Sequence, residues 1–236
     1  YIFAGTANDI NHTGNGVFVS SNNGQVWTQS GLNNLGVYSL AASGQYIYAG
    51  TFNLPNYYGV YVSSNYGQSW AQTSLNNKNI FSLTINGSYI FAGTELSGLY
   101  VSTNNGQSWT QTSLNNISVL TLAASGSYIY AGTDNSYPNP LGVFVSSDNG
   151  QSWAQTPLNN KPIKSIIAFG SVVIAGTHAG SGIIGIYKSI DHGASWVQVD
   201  TEYNPVMALA YSGNQIFAGT QYDGVFHSTD IGQTWL

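Results

Sequence analysis

The sequence predicts an all-β fold, a six-bladed β-propeller with four-stranded antiparallel blades, and two repeated markers support that prediction. The tripeptide Ala-Gly-Thr recurs at spacings of 39 to 45 residues, with its glycine at Gly5, Gly50, Gly93, Gly132, Gly176 and Gly219. Tryptophan recurs at spacings of 39 to 44 residues, at Trp27, Trp70, Trp109, Trp153, Trp196 and Trp235. Two markers that keep one period of about 40 residues are typical of propeller blades with four strands each.

Each repeat contains four candidate strands. The second strand follows a short glycine turn, as at Tyr46 to Thr51, the third resembles Gly59 to Ser63, and the fourth begins after a tight turn at Trp70. The first strand is apolar throughout, as expected of an innermost strand that is covered on both faces. These apolar segments are Val37 to Ala42, Ile80 to Ile85, Val119 to Ala124, Ile163 to Phe169 and Val206 to Tyr211.

The two ends of the chain indicate how the repeats close. There are six second, third and fourth strands but five innermost strands, because Tyr1 starts in a second strand and Leu236 stops just inside a fourth. We expect residues 1–236 to form a single propeller domain whose first and last segments share one blade, which removes exposed sheet edges. The termini are then truncated within that blade. The alternative is a further blade beyond one terminus.

Composition excludes several classes of partner. The net charge is -5, lysine and arginine together number four, and all four are lysine. Nucleic acid and anionic membrane surfaces require clustered cations, so neither is an expected partner. No apolar run approaches the roughly 18 residues that span a bilayer, so membrane insertion is not expected. The plentiful Tyr and Trp, with little charge, indicate a secreted or cell-surface β protein.

The turn between the third and fourth strands matches Ser-x-(Asp/Asn)-x-Gly-x-x-Trp six times. We call these six segments the boxes: Ser20 to Trp27, Ser63 to Trp70, Ser102 to Trp109, Ser146 to Trp153, Ser189 to Trp196 and Ser228 to Trp235. The amide or carboxylate is expected to accept hydrogen bonds from its own turn, and the glycine to take a positive φ. This third position holds Asn22, Asn65, Asn104, Asp148, Asp191 and Asp230. Asn replaces Asp in a turn but not as an acid catalyst, so the boxes are predicted to be structural.

The boxes resemble the Asp-box, or bacterial neuraminidase repeat, of a β-propeller family. That resemblance implies several functions, among them exo-sialidases, xyloglucan-cleaving glycosidases, non-catalytic lectins, photosystem assembly factors and uncharacterised secreted bacterial repeat proteins. It also implies that the boxes lie away from any active site. Sialidases of this family grip the substrate carboxylate with three arginines, and this chain has none, so the sialidase function is excluded.

Candidate site residues lie opposite the boxes. The residue after each Ala-Gly-Thr forms a set of equivalent positions: Ala7, Phe52, Glu95, Asp134, His178 and Gln221. Three neighbouring blades would place Glu95, Asp134 and His178 side by side, where they act on a ligand or are ordinary solvated loop residues. Lys164 stands where other innermost strands carry apolar residues. Its side chain is expected at the mouth of the central channel of the propeller. There it pairs with Glu95 or Asp134, contacts ligand, or is simply solvated.

The second-to-third loops vary in length and carry exposed tyrosine candidates. These are Tyr57, Tyr58, Tyr137 and Tyr222. Paired asparagines in the fourth-to-first loops add amide donors and acceptors, and neutral sugars are bound by such amides together with aromatic faces. No metal or cofactor site is predicted. His192 and His227, in or beside boxes, are predicted to be incidental.

The leading hypothesis is a secreted, non-catalytic module that recognises a neutral glycan or another extracellular surface. One alternative is a neutral-sugar glycoside hydrolase with Glu95 and Asp134 as its carboxylates. The other is a structural or protein-interaction repeat of a larger surface protein. The sequence favours binding over catalysis.

Overall fold

The computed structural model describes residues 1–8, 14–134, 142–178, 184–199 and 204–236. These residues form six antiparallel sheets and contain no helix, which confirms the all-β class. No described helix could therefore span a membrane.

The first three sheets belong to one compact unit, Tyr1–Gln111, which we call unit 1. Sheet 1 consists of β1 (Ile2–Gly5), β2 (Val17–Ser20) and β3 (Thr28–Gly31). Sheet 2 consists of β4 (Val37–Ser43), β5 (Tyr46–Thr51), β6 (Val60–Ser63) and β7 (Ala71–Gln72). Sheet 3 consists of β8 (Ile80–Asn86), β9 (Tyr89–Thr94), β10 (Leu99–Ser102) and β11 (Thr110–Gln111).

The other three sheets belong to a second compact unit, Thr112–Leu236, which we call unit 2. Sheet 4 consists of β12 (Ser118–Ser125), β13 (Tyr128–Asp134), β14 (Gly142–Ser146) and β15 (Ala154–Gln155). Sheet 5 consists of β16 (Ile163–Phe169), β17 (Val172–Thr177), β18 (Ile186–Ser189) and β19 (Val197–Gln198). Sheet 6 consists of β20 (Val206–Ser212), β21 (Gln215–Thr220) and β22 (Val225–Ser228).

Neighbouring sheets of each unit pack face to face around the repeat glycine. In unit 1, the β-branched side chain of Ile80 in sheet 3 lies over Gly50 in sheet 2. In unit 2, Ile163 lies over Gly132 in the same way. A side chain on either glycine would overlap these neighbours, so the Ala-Gly-Thr marker reflects close approach between sheets.

The innermost strands share a β-bulge near their first residue. In β4 the register shifts between Val37 and Ser39, and in β16 it shifts between Ile163 and Ser165. The same shift occurs in β8, β12 and β20. The bulge residue is therefore the one that the sequence singles out: Tyr38, Phe81, Leu120, Lys164 or Met207. Because a bulge re-aims its side chain, this position can differ chemically from the apolar strand around it.

The terminal sheets depart from the prediction that they share one blade. The structure places β1 to β3 in one three-stranded sheet and β20 to β22 in another. Sheet 6 is extended by Leu236, which exchanges two backbone hydrogen bonds with His227 at 2.9 and 3.0 Å.

The innermost strand of sheet 6 is also less covered than predicted. Met207 and Tyr211 of β20 are exposed, and so is Val225 on β22. The opposite face carries Val206, which is buried against sheet 5. An apolar sequence therefore predicts the strand correctly but not burial on both of its faces.

Candidate functional site

We call the sheet ends where innermost strands begin the loop end, and the opposite sheet ends, which carry the boxes, the box end. At the loop end, the residue after Ala-Gly-Thr donates its backbone N–H to the residue just before the innermost strand. The distances are 2.9 Å from Phe52 to Gly36, 3.0 Å from Glu95 to Asn79, 3.1 Å from His178 to Pro162 and 3.0 Å from Gln221 to Pro205. The backbone at these equivalent positions is therefore held in the same way in each sheet, while the side chain differs from sheet to sheet.

In unit 1, three aromatic rings meet at the loop end. The Phe52 ring centroid lies 5.2 Å from that of Tyr38 and 5.0 Å from that of Phe81. Phe52 is buried between its neighbours, whereas Tyr38 and Phe81 are half-buried bulge residues. The bulges of β4 and β8 therefore turn two rings towards Phe52 and leave part of each accessible.

A chain of amides runs beside these rings. Asn53 Oδ1 accepts a hydrogen bond from the Gly36 backbone at 2.9 Å, and Asn53 N donates to Asn79 Oδ1 at 3.2 Å. Asn79 Nδ2 then donates to Glu95 Oε2 at 2.9 Å. Both asparagine side chains are buried. Their hydrogen bonds therefore hold the loops at this loop end in place.

The last hydrogen bond of these amides fixes the orientation of the Glu95 side chain. Its carboxylate is half-buried and accepts the hydrogen bond from Asn79, which anchors one oxygen within unit 1. In the same unit, Tyr57 is 51% exposed, and Tyr58 is half-buried with its carbonyl accepting from Gln72 Nε2 at 2.7 Å. Glu95 and both tyrosines therefore lie at the loop ends of two neighbouring sheets in unit 1.

Unit 2 carries the other candidate residues. Asp134 ends β13, where it pairs with Ser118, and is half-buried. Lys164 is a half-buried bulge residue, and His178 follows β17. Tyr222 is 73% exposed, while Tyr137 lies outside the described residues.

The predicted neighbourhood of Glu95, Asp134 and His178 stays a prediction, since Glu95 belongs to unit 1 and the other two to unit 2. The pairing of Lys164 with Glu95 or Asp134 likewise stays a prediction. Among the described residues, no three His, Asp or Glu side chains gather closely enough to hold a metal ion.

At the box end, each third-position side chain is bound within its own turn. In the second box, Asn65 Oδ1 accepts from Ser63 Oγ and from Ser69 N, both at 2.9 Å. Ser63 Oγ in turn accepts from the N–H of Gly67, whose φ is 82°. The other five boxes repeat these bonds.

The hydrogen bonds hold the box acids in the charged form. Bonds from the Ser195 side chain and backbone, and then from Ser189, lower the pKa of Asp191 to about 2. Equivalent bonds, led by Ser152 and by Thr234, hold the pKa values of Asp148 and Asp230 well below the usual range. A carboxylate so strongly acidic is a poor proton donor near neutral pH, which agrees with a structural role for the boxes.

That His192 is incidental to any functional site stays a prediction, but the residue does contribute to packing between two sheets. Its ring stacks on Tyr128 of the preceding sheet at a centroid distance of 4.0 Å, and its Nδ1 lies 3.3 Å from Tyr130 Oη. In unit 1, Tyr66 occupies the same box position and stacks on Tyr1 at 5.6 Å. His227 also stacks within sheet 6, 4.8 Å from Phe217.

Sequence comparison of equivalent box positions would have revealed this contact. An aromatic or imidazole ring follows the Asp or Asn in these two boxes, and a tyrosine begins the second strand of the preceding repeat. Rings at corresponding places in successive repeats therefore indicate stacking between sheets.

No family model and no curated protein sequence matches the chain. Solved structures do match. A GH74 enzyme from Niastella koreensis superposes with a TM-score of 0.75 at 18% identity, covering 99% of this chain and 43% of that one. YCF48 bound to D1 peptide has a TM-score of 0.70 at 16% identity, covering 99% of this chain and 82% of that one.

The extracellular domain of the one-component system BT4673 from B. thetaiotaomicron is also similar. Its TM-score is 0.71 at 18% identity, and the match covers 99% of this chain and 34% of that one. All three are β-propeller proteins. The fold is that of β-propeller proteins. At such low identity the likeness shows the fold alone, and this chain spans less than half of both the GH74 and the BT4673 chains.

Proposed function

We propose that the protein is a secreted, non-catalytic binding module that recognises neutral carbohydrate through its loop end. The observation that carries this proposal is the cluster of Tyr38, Phe52 and Phe81 beside the amide chain of Asn53 and Asn79. Sugar rings present C–H groups to aromatic faces and hydroxyls to fixed polar groups, so this combination suits a glycan.

The charge of the chain supports a neutral ligand. The net charge is -5 with four lysines and no arginine, so an anionic glycan would meet repulsion and no bidentate guanidinium. Glu95 Oε2 accepts from Asn79 and leaves the other carboxylate oxygen, Oε1, as a candidate acceptor for a sugar hydroxyl. Lys164 and Asp134 are proposed to provide comparable contacts in unit 2.

The similar structures support an extracellular location. They include the extracellular domain of BT4673 and GH74 enzymes, which are propellers of longer proteins. We propose the same setting for this chain, alone or as a repeat of a larger surface protein.

We also propose that the six sheets are the blades of one six-bladed propeller and that the boxes are Asp-boxes. The support is the shared period of the two sequence markers and the identical bonding within all six turns. In that arrangement the boxes stabilise blade edges, and the loop end is left for binding.

Binding of the protein to an array of neutral oligosaccharides tests the proposed function. We expect Tyr57→Ala to weaken binding about five- to tenfold, since one lost aromatic contact is worth about 1 kcal/mol. Tyr66→Ala is the matched control, because this exposed tyrosine lies at the box end and should leave binding unchanged. Tyr137→Ala extends the test to unit 2.

Two results would contradict a binding module. One is the absence of binding at millimolar oligosaccharide. The other is cleavage of an oligosaccharide that Glu95→Gln abolishes, which would identify the chain as a hydrolase acting through a carboxylate.

A further inference from the structure

Lys188 occupies an unusual place in sheet 5. It lies on β18, at the position that holds Val19, Val62, Val101 and Val145 in the first four sheets. Its side chain is only 7% exposed, whereas the other three lysines are half-buried. Lys188 is therefore buried at a position where the first four sheets carry a half-buried valine.

The Lys188 side chain lines a cavity of about 290 Å³ in unit 2. Three aliphatic side chains form much of the wall: Ile190, Val197 and Val199. Val197 is the cross-strand neighbour of Lys188, so its methyl groups lie beside the lysine stem. In the corresponding cavities of sheets 1 and 4, the lining residue at this position is valine.

Polar groups around the amine are already engaged. Lys188 Nζ makes no hydrogen bond to any residue within the described ranges. Ser189 Oγ and Ser195 Oγ both donate to the carboxylate of Asp191, at 2.7 and 2.6 Å. The carboxylate of Asp230 interacts electrostatically with the Lys188 amine. Its oxygens already accept four hydrogen bonds from its own box.

Such surroundings make the Lys188 amine easier to deprotonate than an exposed lysine. Burial lowers the pKa of the Lys188 amine, and the nearby charge of Asp230 opposes part of that effect. A larger unprotonated fraction makes a lysine a better nucleophile, and an apolar wall retains the hydrocarbon part of a carbonyl compound.

We propose that Lys188 binds small aliphatic aldehydes covalently, as a Schiff base formed within this cavity. The Nζ lone pair attacks the carbonyl carbon, the C=O π pair moves to the oxygen, and one amine proton is transferred to that oxygen to give a carbinolamine. The hydroxyl then leaves with the one remaining amine proton as water, and the nitrogen lone pair completes the C=N bond. The sum is amine plus aldehyde giving imine plus water, with nothing oxidised or reduced.

Reductive trapping tests the site directly. The intact protein is treated with hexanal and sodium cyanoborohydride, and peptide mass spectrometry follows alkylation at Lys78, Lys161, Lys164, Lys188 and the Tyr1 amine. Lys188 is expected to react at least fivefold faster than any other lysine, although it is the least exposed. With glyceraldehyde, whose carbons beyond the aldehyde all carry hydroxyl groups, the preference for Lys188 should be lost. If Lys188 reacts no faster than the other lysines with hexanal, the proposal is overturned.

Two valine substitutions test the aliphatic wall. Val197→Asn should reduce the hexanal preference of Lys188 severalfold, while Val26→Asn, at a similarly exposed valine in unit 1, should not. Because both side chains are more than half exposed, neither change should unfold the protein. An equal preference in both variants would show that the cavity wall does not hold the aldehyde and would overturn the proposal.

Discussion

The third residue of every box is fully bound within its own turn, whether it is Asn or Asp. Asn65 and Asp148 each accept from the serine two residues earlier and from the backbone N–H four residues later. The side-chain oxygen performs this role, and both residue types provide it. The difference between the two box types is therefore charge, which appears as a dependence of stability on pH.

Asp191→Asn should reduce the loss of stability in acid. The folded-state pKa of Asp191 is about 2, below its ordinary 3.8, so its contribution is present above pH 4 and is lost as the pH falls towards 2. Between pH 4 and 2, unfolding of the variant should therefore take up fewer protons than unfolding of the unchanged protein, by as much as one. Urea unfolding at pH 5, 4, 3 and 2 measures this difference.

Asn104→Asp is the reciprocal variant, because it places a titrating group in a box that lacks one. It should add a comparable dependence between pH 4 and 2. If neither substitution changes the pH dependence, the box bonds do not select the charged carboxylate.

At the scale of strands and sheets, the repeat glycine and the next innermost strand form one packing unit. A Cβ on Gly132 would lie 2.5 Å from Thr121 Cγ2 and 2.6 Å from Ile163 Cγ2. On Gly219, in contrast, a Cβ would have Ala208 as its nearest neighbour, at 3.8 Å. Neither glycine requires a positive φ, so the two sites differ in the space around them.

Gly132→Ala should therefore destabilise the protein by about 1–3 kcal/mol through overpacking. Gly219→Ala should change the unfolding free energy by less than about 0.5 kcal/mol. Chemical denaturation of both variants measures the contrast. Equal losses would mean that Gly219 is as closely covered as Gly132.

The strands were predictable because their signals are local. The apolar run of β4, the glycine turn before Tyr46 and the box before Trp70 each specify a short segment without reference to the rest of the chain. The β-bulge at Tyr38 was not predicted, because it depends on the register between two strands.

The candidate site was predictable only in part for the same reason. Glu95 was identified from its place after Ala-Gly-Thr, whereas its partner Asn79 comes from a different loop. The stacking of Phe52 between Tyr38 and Phe81 likewise joins three segments that the sequence separates. Lys188 was not singled out, although comparison with Val62 and Val101 marks it as an exception.

At the scale of the whole molecule, repeated features and variable features lie at opposite ends of the sheets. Repeated bonding lies at the box end of each sheet, and varied side chains lie at the loop end. A propeller fold tolerates such variation because its loops are set on rigid strands. The low charge and the amide-rich loops are the features on which we base the proposal of a neutral, hydroxyl-bearing ligand.

The most direct test of this account is a ¹H–¹⁵N chemical-shift titration with the neutral oligosaccharide that binds best on the array. The account predicts saturating shifts at loop-end residues, including the backbone of Phe52, Phe81 and Glu95 and the side-chain amide of Asn79. The boxes should remain unshifted throughout. Shifts confined to the box end, or spread evenly over the chain, would contradict it.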